Sequence, residues 1–187
     1  LDVVDSGSSY KLLRDQLARN PKTEFRLKNI NFTQADVDLL IVLVALQTDL
    51  TKVYLQYCNV QPKAAERLAE TLKEVRQLQQ LDLSGNHIAD VGTIALVRAL
   101  EDRECTLELL NLGSNEIGLE GAKSLAQCFM KNKSLRRVYL YGNKLGDEGI
   151  LAIAQAISKT RRIEALNLHN NEFSIQTWQE MQKLRVV

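Results

Sequence analysis

The residues in this chain that could do chemistry are two histidines, three cysteines and a set of recurring glycines. His87 and His169 stand far apart in sequence, and neither has a Cys, Ser, Asp or Glu at a catalytic spacing. Cys58, Cys105 and Cys128 are odd in number, lack a Cys-x-x-Cys pair and are spread over 71 positions. That excludes a disulfide framework and a zinc site and fits a reducing compartment. No phosphate-binding G-x-x-x-x-G-K, nucleophile-elbow G-x-S-x-G or zinc-binding H-E-x-x-H occurs. Gly118, Gly121, Gly146 and Gly149 recur in pairs at one spacing and read as turn residues, not as a phosphate cradle. The sequence therefore predicts no enzyme, no cofactor and no metal.

Bulk properties exclude further classes. Lys and Arg number 24 against 23 Asp and Glu, for a formal charge of +1. Nucleic acid and anionic membrane surfaces both require clustered positive charge, so neither partner is predicted. The longest apolar run, Leu39 to Leu46, has eight residues, short of the roughly 18 that a bilayer span needs. No basic segment followed by an apolar stretch marks a signal peptide, and the expected location is cytoplasmic. The chain begins on Leu1 and not Met, which admits an excised piece of a longer protein.

What must position any binding residue is a repeat. Anchors fall at Lys22, Leu50, Leu78, Leu107, Leu135 and Ile163, in steps of 28, 28, 29, 28 and 28. Five residues on, every unit carries leucine: Leu27, Leu55, Leu83, Leu112, Leu140 and Leu168. Eight residues on, the column reads Ile30, Cys58, Asn86, Asn115, Asn143 and Asn171. An amide there can bridge backbone groups of adjacent units as the chain leaves the strand. Cys58 reads as a small buried substitute in that column. Each unit then changes from period 2 to period 3.6, as in Ala122, Leu125, Ala126 and Phe129. Strand, turn and helix repeat, and stacking buries what one unit alone cannot.

The pattern Leu78-x-x-Leu81-x-Leu83-x-x-Asn86-x-Ile88, with the turns Ile117-Gly-Leu-Glu-Gly-Ala122 and Leu145-Gly-Asp-Glu-Gly-Ile150, resembles the leucine-rich repeat of the intracellular ribonuclease-inhibitor-like class. The resemblance covers residues 22 to 187. It implies an α/β horseshoe solenoid of about six repeats, with a parallel sheet on the concave face and helices on the convex face. It also implies protein recognition on the inner face. Residues 1–187 are expected to form one domain, with a cap over 1–21 containing a helix near 9–20, capped by Ser9 and carrying Leu12, Leu13 and Leu17. A last helix over 174–185 is expected to close the other end, with Trp178 in the capping core and polar Gln182 and Arg185 outward.

Residues between the strand anchors point onto the concave face. Four of the five tyrosines fall there: Tyr54 and Tyr57 in the second unit, Tyr139 and Tyr141 in the fifth. With strands ~4.8 Å apart, the two pairs lie roughly 14 Å from each other. Ser84, Gly85, Gly113 and Ser114 are expected to leave a low, open floor between them. Strand propensity alone would scatter aromatics over all units, whereas tyrosine and arginine are frequent interface anchors. The predicted partner-binding set is Tyr54, Tyr57, Asp82, Arg137, Tyr139, Tyr141 and His169, in a monomeric, non-catalytic module that binds a protein. Two alternatives follow from the resemblance: a regulator of a small GTPase of the Ran-activating type, and a structural segment of a tropomodulin-like cytoskeletal or receptor protein.

Overall fold

The alternating anchors of each unit produce one short strand, and the 3.6-period stretch after it produces one helix. A computed structural model describes residues 11, 13 and 15, and residues 23–184 apart from 48 and 103. Strands β1 (Glu24–Lys28), β2 (Lys52–Gln56), β3 (Gln80–Asp82), β4 (Leu109–Asn111), β5 (Arg137–Tyr139) and β6 (Ala165–Asn167) alternate with helices α1 (Gln34–Ala45), α2 (Pro62–Leu72), α3 (Ala89–Leu100), α4 (Leu119–Lys131), α5 (Gly146–Thr160) and α6 (Ile175–Lys183). The strands form one parallel sheet in sequence order. Each pairs at the same repeat position, Tyr54 opposite Asp82, Asp82 opposite Asn111, Asn111 opposite Tyr139. The predicted α/β solenoid is what forms.

The core is the space between sheet and helices. Phe25, Val53, Leu81, Leu110 and Val138 enter it from the strands, together with the leucine column from Leu27 to Leu168. From the helices come Val37, Leu40, Ile41 and Val44, then Ala65 and Leu68, and on to Ile150, Ile153, Ala154 and Ile157. Residues 11, 13 and 15 are helical and Leu13 is fully buried. The predicted cap residues Ser9, Leu12 and Leu17 and the outward Arg185 lie outside the described residues.

The asparagine column holds neighbouring units together. Asn143 Oδ1 accepts from the N–H groups of Asn115 and Ile117, both at 3.0 Å. Its Nδ2 donates to the carbonyls of Leu112 and Leu140 at 2.9 and 2.8 Å. Asn86 does the same for Cys58 and Val60. Cys58 can stand in this column because the N–H groups an amide would serve are already taken. Ile30 donates to the Tyr57 carbonyl at 3.1 Å and Phe32 to that of Ile30 at 2.9 Å. Burial pushes the Cys58 thiol up to about 11 and that of Cys128 up to about 12, so both stay neutral thiols.

Two expectations change. Gly121 and Gly149 are not turn residues, since they lie inside α4 and α5. They are points of close contact between repeats: a Cβ on Gly121 would stand 2.6 Å from Asp90 Oδ1, and one on Gly149 would stand 2.9 Å from Ala122 Cβ. Trp178 is not capping core either. It is 42% exposed, and Thr177 and Met181 take the buried positions of that helix.

Candidate functional site

The concave face is built from the strand residues between anchors and from a turn residue seven positions after each anchor. That turn residue, at Asn29, Tyr57, Gly85, Ser114, Gly142 and Asn170, has a φ between 53° and 70° in every unit. The turn out of the strand requires this left-handed backbone, which glycine and asparagine accept at little cost. Tyr57 accepts it as a bulky aromatic, at φ 55°, and remains 50% exposed.

The predicted open floor is not there. The ring of Tyr57 lies over Gly85, where a Cβ would meet it at 2.3 Å. Tyr141 lies over Gly113 in the same way, at 2.4 Å. The glycines are seats for the rings, so the two aromatic walls lean over the middle units instead of standing apart. Tyr54 is held from both sides: the Arg26 guanidinium carbon sits 4.2 Å from its ring centroid, and its hydroxyl donates to Gln80 Oε1 at 2.7 Å. Burial, and then the Glu24 carboxylate, raise its hydroxyl above the usual tyrosine range. It therefore remains a neutral donor. Tyr139 lies part-buried beside Arg137 on β5.

Asp82 departs from its predicted role. Its side chain is buried and all its bonds are internal. Oδ1 accepts from Ser84 N at 2.9 Å and Ser84 Oγ at 2.7 Å. Oδ2 accepts from Gln56 Nε2 at 2.9 Å and Asn111 Nδ2 at 3.0 Å. It organises the face from beneath and offers little of itself to a partner. The predicted set leaves out Gln56, Gln80 and Asn111; the signal was available, since all three sit in concave columns, Asn111 directly across from Asp82 and Gln80 across from Lys52 beside Tyr54.

His169 lies exposed two residues beyond β6, apart from the covered floor. It lines an apolar groove with Leu166, Phe173, Trp178 and Met181. A second cleft, of about 40 Å³, opens between the C-terminal ends of α2 and α3 beside Cys105, lined mainly by Leu72, Val75, Leu78, Ala99, Leu100 and Leu107. It is better enclosed than anything on the concave face, but apolar packing gaps between helices lack the convergent polar groups of a ligand site. Among the described residues no three His, Cys, Asp or Glu side chains converge as metal ligands. No helix among them is long and apolar enough to cross a membrane.

Comparison with known proteins follows this geometry. The leucine-rich-repeat sequence profile matches residues 76–97, 104–126 and 131–154. Pig (Sus scrofa) ribonuclease inhibitor is 33% identical over 94 residues, covering 50% of this chain and 21% of that protein. RAN GTPase-activating protein 2 of Arabidopsis thaliana is 31% identical over 136 residues, 72% of this chain and 25% of that protein. The solved structure of leiomodin-1 actin-binding site 2 superposes with a TM-score of 0.65 at 18% identity, covering 80% of this chain and 88% of the other. That likeness shows the fold. The chain spans between 9% and 25% of the length of the curated relatives it matches.

Proposed function

Given that the chain is a leucine-rich-repeat protein of the ribonuclease-inhibitor-like class, we propose that it is a non-catalytic, cytoplasmic, monomeric module that binds a protein partner on its concave face. Tyr54, Tyr57, Arg137, Tyr139 and Tyr141 are its anchors, with Asp82 as their support and His169 at the margin. The observation behind this reading is the pair of tyrosines set over glycines. Tyr57 and Tyr141 present their rings over Gly85 and Gly113, with hydroxyls that have no partner among the described residues, an apolar surface with polar tips of the kind that dominates interface energetics.

The test is affinity capture with a Tyr57→Ala/Tyr139→Ala/Tyr141→Ala variant. A Glu66→Ala/Glu70→Ala variant on the helix side serves as control. Proteins retained by wild type and control should be lost from the tyrosine variant while its circular dichroism stays the same. Equal capture by all three would remove the concave face from consideration.

A second reading, regulation of a small GTPase, has the 31% identity to a RAN GTPase-activating protein in its favour. Stimulated GTP hydrolysis by a Ran-type GTPase would support it, and an unchanged rate would dismiss it. The cytoskeletal alternative has only likenesses of fold behind it, to leiomodin-1 and to a tropomodulin C-terminal domain, and no residue of this chain.

A further inference from the structure

Resting on the concave-face reading, we infer that the partner segment is acidic: an extended stretch of protein whose carboxylates meet Lys52, Arg137 and the tyrosine hydroxyls. The inference follows from which side of each hydrogen bond the face has already used. Its acceptors are consumed internally. Asp82 takes four donors from Ser84, Gln56 and Asn111. Asn111 Oδ1 accepts from Gly113 N at 3.0 Å, and Asn167 Oδ1 accepts from His169 N at 3.1 Å. Gln80 Oε1 takes the Tyr54 hydroxyl, and Glu24 Oε1 takes Arg26 Nε and Nη2 at 3.0 and 2.8 Å. Of these amides and acids, Gln56 Oε1 and Glu24 Oε2 are the acceptors left over among the described residues, the second on a carboxylate already paired with Arg26.

Donors remain in excess. Lys28, Lys52 and Arg137 form no side-chain hydrogen bond or ion pair among the described residues, and neither do the hydroxyls of Tyr57, Tyr139 and Tyr141. The formal charge points the same way. The face carries four cations, Arg26, Lys28, Lys52 and Arg137, against two carboxylates that are both already bonded. That surplus of two exceeds the +1 of the entire chain, so the rest of the chain carries a formal charge of −1 and the concave face is its more positive side. A concave surface of one sign steers and selects a partner of the other. A basic segment would leave Lys52 and Arg137 facing like charge, with both carboxylates of the face already engaged, Glu24 by Arg26 and Asp82 by its four donors. Three unpaired cations are also too few for the dense phosphate contacts on which nucleic-acid affinity rests.

The probe is a library of random linear peptides displayed on phage. It is panned on the full chain and counter-panned on the Tyr57→Ala/Tyr139→Ala/Tyr141→Ala variant. Recovered peptides should be enriched in Asp and Glu, bind less tightly as salt rises, and lose about tenfold or more in affinity for Lys52→Glu/Arg137→Glu. A milder Lys52→Gln/Arg137→Gln variant gives the same reading should the reversal disturb folding, and should lose less. Tyrosine-dependent peptides with no charge bias, or rich in Lys and Arg, overturn the acidic partner and leave the concave-face reading standing. Displacement of the peptides by a single-stranded oligonucleotide also overturns it. A selection that yields no tyrosine-dependent peptide overturns both.

Discussion

Tyr57 combines a strained backbone with an exposed ring, and nothing in the repeat requires a tyrosine there. The other units meet the same left-handed turn with Asn29, Gly85, Ser114, Gly142 and Asn170. A bulky residue in this region costs of order 1–2 kcal/mol, and the contact of the ring with Gly85 offsets part of that. Tyr57→Asn should therefore leave chemical stability unchanged or raise it by up to about 1 kcal/mol, while partner binding falls. Urea denaturation and binding measured on the same preparation decide it; a clear loss of stability would mean that the tyrosine serves the fold. The sequence told which residues face the concavity, because the period of two is rigid. It could not tell that Tyr57 and Tyr141 fold over their glycine neighbours, because side-chain rotamers follow from the neighbouring repeat and not from the repeat's own pattern. The burial of Asp82 escaped for the same reason: two of its four donors, Gln56 and Asn111, come from adjoining strands.

Helices show a similar division between local and transmitted information. Their core faces were legible, down to Ala122, Leu125, Ala126 and Phe129 on α4, all buried. The first helix runs Gln34–Ala45. Its start is set by a local capping box between Thr33 and Asp36. Two other helices begin on a carboxylate from the repeat before. Asp90 Oδ1 accepts from Gly118 N at 2.7 Å and Gly121 N at 3.0 Å at the start of α4. Asp147 Oδ1 accepts from Ser174 N and Thr177 Oγ, both at 2.6 Å, at the start of α6. Caps reaching across 27 to 31 residues leave no trace in a scan for local helix signals. The Thr177 hydroxyl, and then Ser174, hold the Asp147 carboxyl below the usual carboxylate range. A depressed folded value means that the stabilisation is complete above the unfolded value of about 3.9 and is lost as pH falls through the folded one. Trp178, the chain's sole tryptophan, rides on α6 and reports its attachment. Its fluorescence should shift on acidification below about pH 4 in the wild type. In Asp147→Asn that step should be absent; an identical acid transition in both would show that the cap contributes nothing.

At the scale of the whole molecule, each repeat is held only by the repeats beside it, so the effect of a broken ladder rung depends on where it sits. Asn143 lies between the fourth and fifth units and serves groups on both, whereas Asn171 lies in the last unit with β6 at the edge of the sheet. Removing the amide of Asn143 leaves the N–H groups of Asn115 and Ile117 and the carbonyl of Leu112 short of a partner, while the Leu140 carbonyl keeps Asn171 Nδ2. Each unsatisfied buried group costs about 1–3 kcal/mol, so Asn143→Ala should lose about 3 kcal/mol or more and open the stack in its middle. Asn171 accepts only from Leu145 N, at 3.4 Å, and its two main carbonyl partners lie on β5 and β6 flanks that can relax toward the open end. Asn171→Ala should therefore lose less and fray only the last unit. Amide hydrogen exchange separates the two outcomes: loss of protection on both sides of α4 for the first variant, and loss confined to β6 and α6 for the second. Equal, global loss in both would show that the six units unfold as one, and that the concave face cannot be tuned in one unit without affecting the rest. Local loss would instead mean that the tyrosine-bearing units can change partner while the asparagine ladder beneath them keeps the scaffold constant.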